Sequence, residues 1–108
     1  MEKFDIIPKS TVERLRKETS KEFVMLLKHG NMSIEYYTPQ KTDRQDPHKQ
    51  DEIYVIASGS GTFYGGGEMV KFNKGDVLFV PAGMEHHFEK FTDDFATWVI
   101  FYGKEGGE

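Results

Sequence analysis

The chain contains no cysteine, which excludes a disulfide framework and any cysteine-ligated zinc or iron–sulfur centre. No apolar run approaches the length that spans a bilayer. The opening stretch, MEKFDIIPKS, lacks the apolar core of a secretion signal. The expectation from these absences is a cytoplasmic protein with no membrane partner. Basic patches are equally scarce. The longest, Arg14–Leu15–Arg16–Lys17, is flanked by Glu13 and Glu18 in a chain of net charge −4. It reads as a solvated helix face, and no nucleic-acid partner is expected.

What is present suits one small β domain. A length of 108 residues supports a single core. Nine Phe, five Tyr and one Trp can fill a small barrel or sandwich, and eleven Gly suit many tight turns. Ser10–Thr11–Val12–Glu13 fits a capping box and predicts a short helix from about Thr11 to Lys17. Strands are predicted at Phe23–Leu27, Met32–Thr38, Glu52–Ile56, Thr62–Tyr64, Glu68–Phe72, Val77–Val80, His86–Phe88 and Phe95–Tyr102. Short strands with frequent turn signals indicate an all-β sandwich or barrel. Residues 1–19 are then an N-terminal extension with the helix, 20–103 the barrel, and 104–108 a disordered tail.

Chemistry concentrates in two stretches. In DPHKQDEIYVIASG, Asp46 to Gly59, the residues Asp46, His48, Gln50 and Glu52 occupy alternate positions before an apolar strand. An extended backbone would point all four to one face. An imidazole and a carboxylate on one wall can form half of a metal site. The second stretch is GDVLFVPAGMEH, Gly75 to His86. Here Gly75–Asp76 turns, an apolar run crosses the core, and Pro81–Ala82–Gly83 turns back to bring His86 beside the strand it left. His87 should face the other way, and His29 lies in a turn.

These stretches resemble the two motifs of the cupin family, G-x5-H-x-H-x3,4-E-x6-G and G-x5-P-x-G-x2-H-x3-N. The second is matched through His86, with Lys90 in place of the final Asn. The first is matched by His48, Glu52 and Gly59. Asp46 stands at its first His, and Gln40 at its opening Gly. The resemblance covers roughly residues 20 to 102. It implies an all-β jelly-roll barrel, a double-stranded β-helix, in which three His and one Glu hold a divalent metal. Carried over residue by residue, His48, Glu52 and His86 are the implied ligands. The ion would be one of Fe, Mn, Ni or Zn, one per chain. Asp46 could bind through oxygen in the fourth place, or be drawn away by Pro47 and leave water there. Gln50, Tyr54, Phe88 and Trp98 are candidate substrate-binding residues, with core packing the alternative for the aromatics.

The resemblance implies two functions. One is a small metal-dependent enzyme, with dioxygenase, isomerase, epimerase or decarboxylase chemistry on a small polar substrate. The other is a non-enzymatic module that binds a sugar or organic acid. No phosphate-binding motif stands out, and the short insert Ser60 to Lys74 leaves little room for a lid. A homodimer is expected, because the strand Phe23–Leu27 is apolar enough to need cover.

Overall fold

The computed structural model describes residues 6–19, 22–43 and 46–108. One helix, α1 (Lys9–Thr19), precedes eight strands. These are β1 (Phe23–His29), β2 (Met32–Tyr37), β3 (Asp51–Ser58), β4 (Ser60–Gly65), β5 (Glu68–Asn73), β6 (Val77–Val80), β7 (His86–Glu89) and β8 (Ala96–Tyr102). They form a five-stranded sheet, β1-β2-β8-β3-β6, and a three-stranded sheet, β5-β4-β7. Every pairing is antiparallel. Among the described residues no helix is long and apolar enough to cross a membrane.

An aromatic core lies between the sheets. Phe88 is its hub, with ring centroids 4.8 Å from Phe95, 4.9 Å from Tyr54, 5.0 Å from Phe63 and 5.4 Å from Phe72. Each fully buried ring of this kind contributes roughly 1.5–3 kcal/mol. The passage from β3 to β4 pivots on Gly59, whose φ is +81°. A Cβ there would lie 2.7 Å from the Phe95 Cα, so only glycine fits.

Two expectations about the chain ends change. The helix begins at Lys9, before the anticipated capping box. The Pro8 carbonyl accepts the amides of Thr11 (3.0 Å) and Val12 (3.2 Å), so Ser10 lies within the first turn. Proline has no amide to satisfy at a helix start. The helix packs through buried Val12, and the Arg16 guanidinium donates to the Thr38 hydroxyl at 2.7 Å. The tail, expected to fray, folds back instead. The Gly106 amide donates to the Lys49 carbonyl (2.7 Å), and the Glu108 amide to the Asp51 carboxylate (2.9 Å).

Strand parity decides what reaches the interior. On β3 the inward set is Glu52, Tyr54 and Ile56, and on β8 it is Thr97, Val99 and Phe101; Asp51 and Ala96, which open the two strands, are buried as well. On β2 the inward set is Ser33, Glu35 and Tyr37, whereas Tyr36 packs edge-on against Trp98 on the outer face. The more polar half of β2 thus faces the barrel.

Candidate metal centre

His48, Glu52 and His86 converge at one end of the barrel, each with a ligand atom within 4.8 Å of the others. Glu52 sits on β3 and is 1% exposed. His86 opens β7 and is 2% exposed. His48 lies in the loop before β3, and its side chain keeps 31% exposure, so the group is open on that side. The Pro81–Gly83 turn positions both imidazoles. The Gly83 amide donates to the His48 carbonyl at 2.8 Å, and the Met84 amide closes the turn onto the Pro81 carbonyl at 3.2 Å. The Met84 carbonyl then accepts from His86 Nδ1 at 2.9 Å.

That last bond fixes the chemistry. With its proton on Nδ1, neutral His86 presents a lone pair at Nε2. Nε2 lies 2.8 Å from Glu52 Oε1 and 3.0 Å from the Tyr54 hydroxyl. His48 Nε2 lies 3.9 Å from Glu52 Oε2. Both Glu52 oxygens are buried, and while His86 is neutral at Nε2 neither has a hydrogen-bond donor. Two lone-pair atoms at 2.8 Å need a proton or a cation between them. Burial pushes His86 down, but the Glu52 carboxylate, the Met84 carbonyl and Asp43 outweigh it, and its pKa is raised. The electrostatics therefore favour positive charge at this point.

Asp46 does not join the group. It is exposed, because β3 begins only at Asp51 and the alternation argument does not extend back through Pro47. Gln50 departs from the Glu52 wall for the same reason. Its amide nitrogen ties the Asn31 and Gly103 carbonyls together at the barrel rim (2.5 and 2.8 Å). Tyr54 is buried against His86, and Phe88 is the core hub. Trp98, expected to line the interior, faces outward because Thr97 and Val99 take the inward positions of β8. It lines an outer hollow with Ile7, Leu27, Ile34, Val55 and Ile100. His87 does face away, stacked at 4.9 Å on Tyr64.

Three carboxylates that shape the site carry no such pattern in the sequence. Asp43 accepts from the Tyr37 hydroxyl (2.5 Å) and the Phe88 amide (2.8 Å), and so anchors its loop against β7. Burial and Asp43 together push the Tyr37 phenol well up. Asp51 accepts from the Glu108 and Ala82 amides, which hold its carboxyl below the usual range. Glu35 is raised by burial and then by the Glu52 charge, which places a second interior carboxyl in the field of the group. Only the parity of β2 could have pointed to Glu35.

Comparison with known proteins settles the family, since residues 33–102 match the family model of the cupin domain. The chain is a cupin. An uncharacterized protein of Streptomyces coelicolor is 36% identical over 81 residues, spanning 73% of this cupin and 77% of that protein. A Cupin 2 conserved barrel domain protein from Salinispora arenicola superposes with a TM-score of 0.64 at 19% identity, over 75% of this chain and 74% of that one. KdgF from Halomonas sp. gives 0.67 at 14% identity, over 77% and 78%. At such identities the likeness shows the fold, the jelly-roll barrel. The structure also accounts for the last position of the second cupin motif. Lys90 has a φ of +51°, a left-handed conformation that asparagine tolerates better than lysine.

Proposed function

We propose that this cupin holds one divalent metal ion through His48, Glu52 and His86, and uses it to act on a small polar substrate. The observation that carries the reading is the buried, unsatisfied Glu52 carboxylate facing His86 Nε2 at 2.8 Å. The donor set fits the ion. Neighbouring ligands on one centre lie about 3.0–3.5 Å apart, from metal–ligand bonds of about 2.0–2.2 Å. The two separations to Glu52, 2.8 and 3.9 Å, bracket that range, and all three donors lie within 4.8 Å of one another. Two imidazoles and one carboxylate suit Fe, Mn, Ni or Zn and leave coordination positions open.

A bound ion would supply Lewis acidity toward a substrate oxygen. The protein does the rest. Met84 fixes the His86 tautomer, and the Tyr54 hydroxyl, 3.0 Å from Nε2, stands beside the centre. The interior wall of Tyr54, Phe63 and Phe101 excludes water from the inner side. Half-exposed His48 faces a cavity of about 600 Å³ through which a substrate enters. Burial and then the Glu52 charge raise the Glu35 carboxyl, a second interior acidic group on β2.

The enzymatic reading rests on the open side of the group, which faces a cavity of metabolite size. Turnover tests it. Metal-loaded protein, supplied with a panel of small sugars and organic acids, should yield product or consume oxygen. Saturable binding with no product on prolonged incubation would assign the binding module instead. Pairing of two copies is part of the same proposal. It is supported by β1, a sheet edge with Phe23 exposed. A monomer mass by light scattering at high concentration would contradict it.

A further inference from the structure

Three separate segments wall the cavity beside His48. They are the end of β1 and its turn (Lys28, Asn31), the loop before β3 (Lys49, Gln50) and the segment after β8 (Lys104, Glu105). Each segment contributes one lysine. The whole chain has 14 basic residues against 18 acidic ones, yet this opening carries three ammonium groups against one carboxylate. The charge of the residues lining the opening is therefore opposite in sign to the net charge.

The wall is held in place by bonds already described. Gln50 clamps the Asn31 and Gly103 carbonyls, on either side of the opening. The Gly106 amide donates to the Lys49 carbonyl, which ties the segment bearing Lys104 to the one bearing Lys49. The segments that carry the three lysines are thus held around one opening. Among the described residues no arginine lines the cavity, so these offer point charges and not a planar fork. Met25 and Phe101 supply apolar surface below the charges, and His48 leads to the metal group. The volume, about 600 Å³, suits a metabolite-sized molecule.

We infer that this cavity binds a small organic anion, a carboxylate or a phosphate ester, whose charge is held by Lys28, Lys49 and Lys104 while its remainder reaches His48. This names the substrate class of the centre proposed above and rests on that reading. The anion's charge and the metal are nevertheless held by different side chains, so each can fail separately.

The test is calorimetric titration of the metal-loaded protein with inorganic phosphate and with succinate. The cavity variant is Lys28→Gln/Lys49→Gln/Lys104→Gln, beside its three single substitutions. The control, Lys17→Gln/Lys41→Gln/Lys71→Gln, removes the same charge from exposed positions outside the cavity. Each single cavity substitution should raise the Kd of at least one anion about two- to fivefold, the range of a partly solvated charge pair. The triple should raise it about tenfold or more, and the control less than twofold. Binding should also weaken as sodium chloride is raised. A response to phosphate alone assigns a phosphate ester, and a response to succinate alone a carboxylate. The inference is overturned if wild type binds neither anion at tens of millimolar. Equal binding by wild type and the cavity triple, or an equal loss in the control, would also overturn it. Metal content separates the two readings. If the cavity triple keeps its metal but loses the anion, both stand. If wild type holds no metal yet shows lysine-dependent anion binding, only the metal centre fails.

Discussion

Replacing Glu52 by Gln removes one charge from the middle of the candidate centre with almost no change in volume. Glu52 is 1% exposed and neither of its oxygens has a hydrogen-bond donor unless His86 is protonated, so with His86 neutral the metal-free protein holds an unsatisfied buried carboxyl group. Leaving such a group unsatisfied costs about 1–3 kcal/mol, more when it is charged. Protonated His86, 2.8 Å away, offsets that cost. Its pKa is raised in the folded state, so this contribution is fully present below the unfolded histidine pKa and is lost as pH rises through the folded value. Metal-free Glu52→Gln should therefore melt at or below metal-free wild type near pH 6 and above it by pH 9. A gain of about 1–2 kcal/mol corresponds to roughly 4–16 °C for a domain of this size. Added metal should reverse the order. An ion at about a hundred times its Kd stabilises wild type by roughly 2.7 kcal/mol, and the variant should lose most of that shift. Thermal melts at several pH values, with and without metal, read both effects. The reasoning is refuted if the variant is less stable at every pH by the roughly 3–5 kcal/mol of a broken buried ion pair, with neither protein responding to metal.

Other perturbations probe the frame around the site. Lys90→Asn should raise stability by about 0.5–1 kcal/mol in urea unfolding, because asparagine relieves part of the left-handed strain at φ +51°; a loss would show that the lysine side chain matters more than its backbone. Gly59→Ala should cost at least about 1–2 kcal/mol by the same assay, since it adds the φ +81° penalty to a 2.7 Å approach to the Phe95 Cα; a neutral result would contradict the pivot. Asp51 is held below the usual carboxylate range by the Glu108 and Ala82 amides. Its contribution is present above the unfolded carboxyl pKa and is lost as pH falls through the lower folded value. Asp51→Asn should accordingly lower the urea midpoint at pH 7 and lose that effect near pH 2, whereas an equal loss at both pH values would place the stabilisation elsewhere.

Much of this was legible in the residues because turns and spacing carry it. Gly59, the Pro81–Gly83 turn and the apolar runs between them placed the strands and brought His48, Glu52 and His86 into one group. What the sequence hid depends on where a strand starts and on which face the barrel closes. The alternation that joined Asp46 and Gln50 to Glu52 holds only within a strand, and β3 begins at Asp51. Trp98 looked like interior surface, but the parity of β8 gives the inside to Thr97 and Val99. Asp43 and Asp51 act through bonds to amides 45 and 31 residues away, for which no local pattern exists. The tail is held by such bonds too, and so looked free.

The most direct test of the central claim is elemental analysis of protein purified without added metal, beside the His48→Ala/His86→Ala variant. The account predicts about one divalent ion per chain in wild type and none in the variant. No metal in either protein, even after soaking with Fe(II), Mn(II), Ni(II) and Zn(II), would contradict it and leave Glu52 and His86 as a buried ion pair in a metal-free barrel.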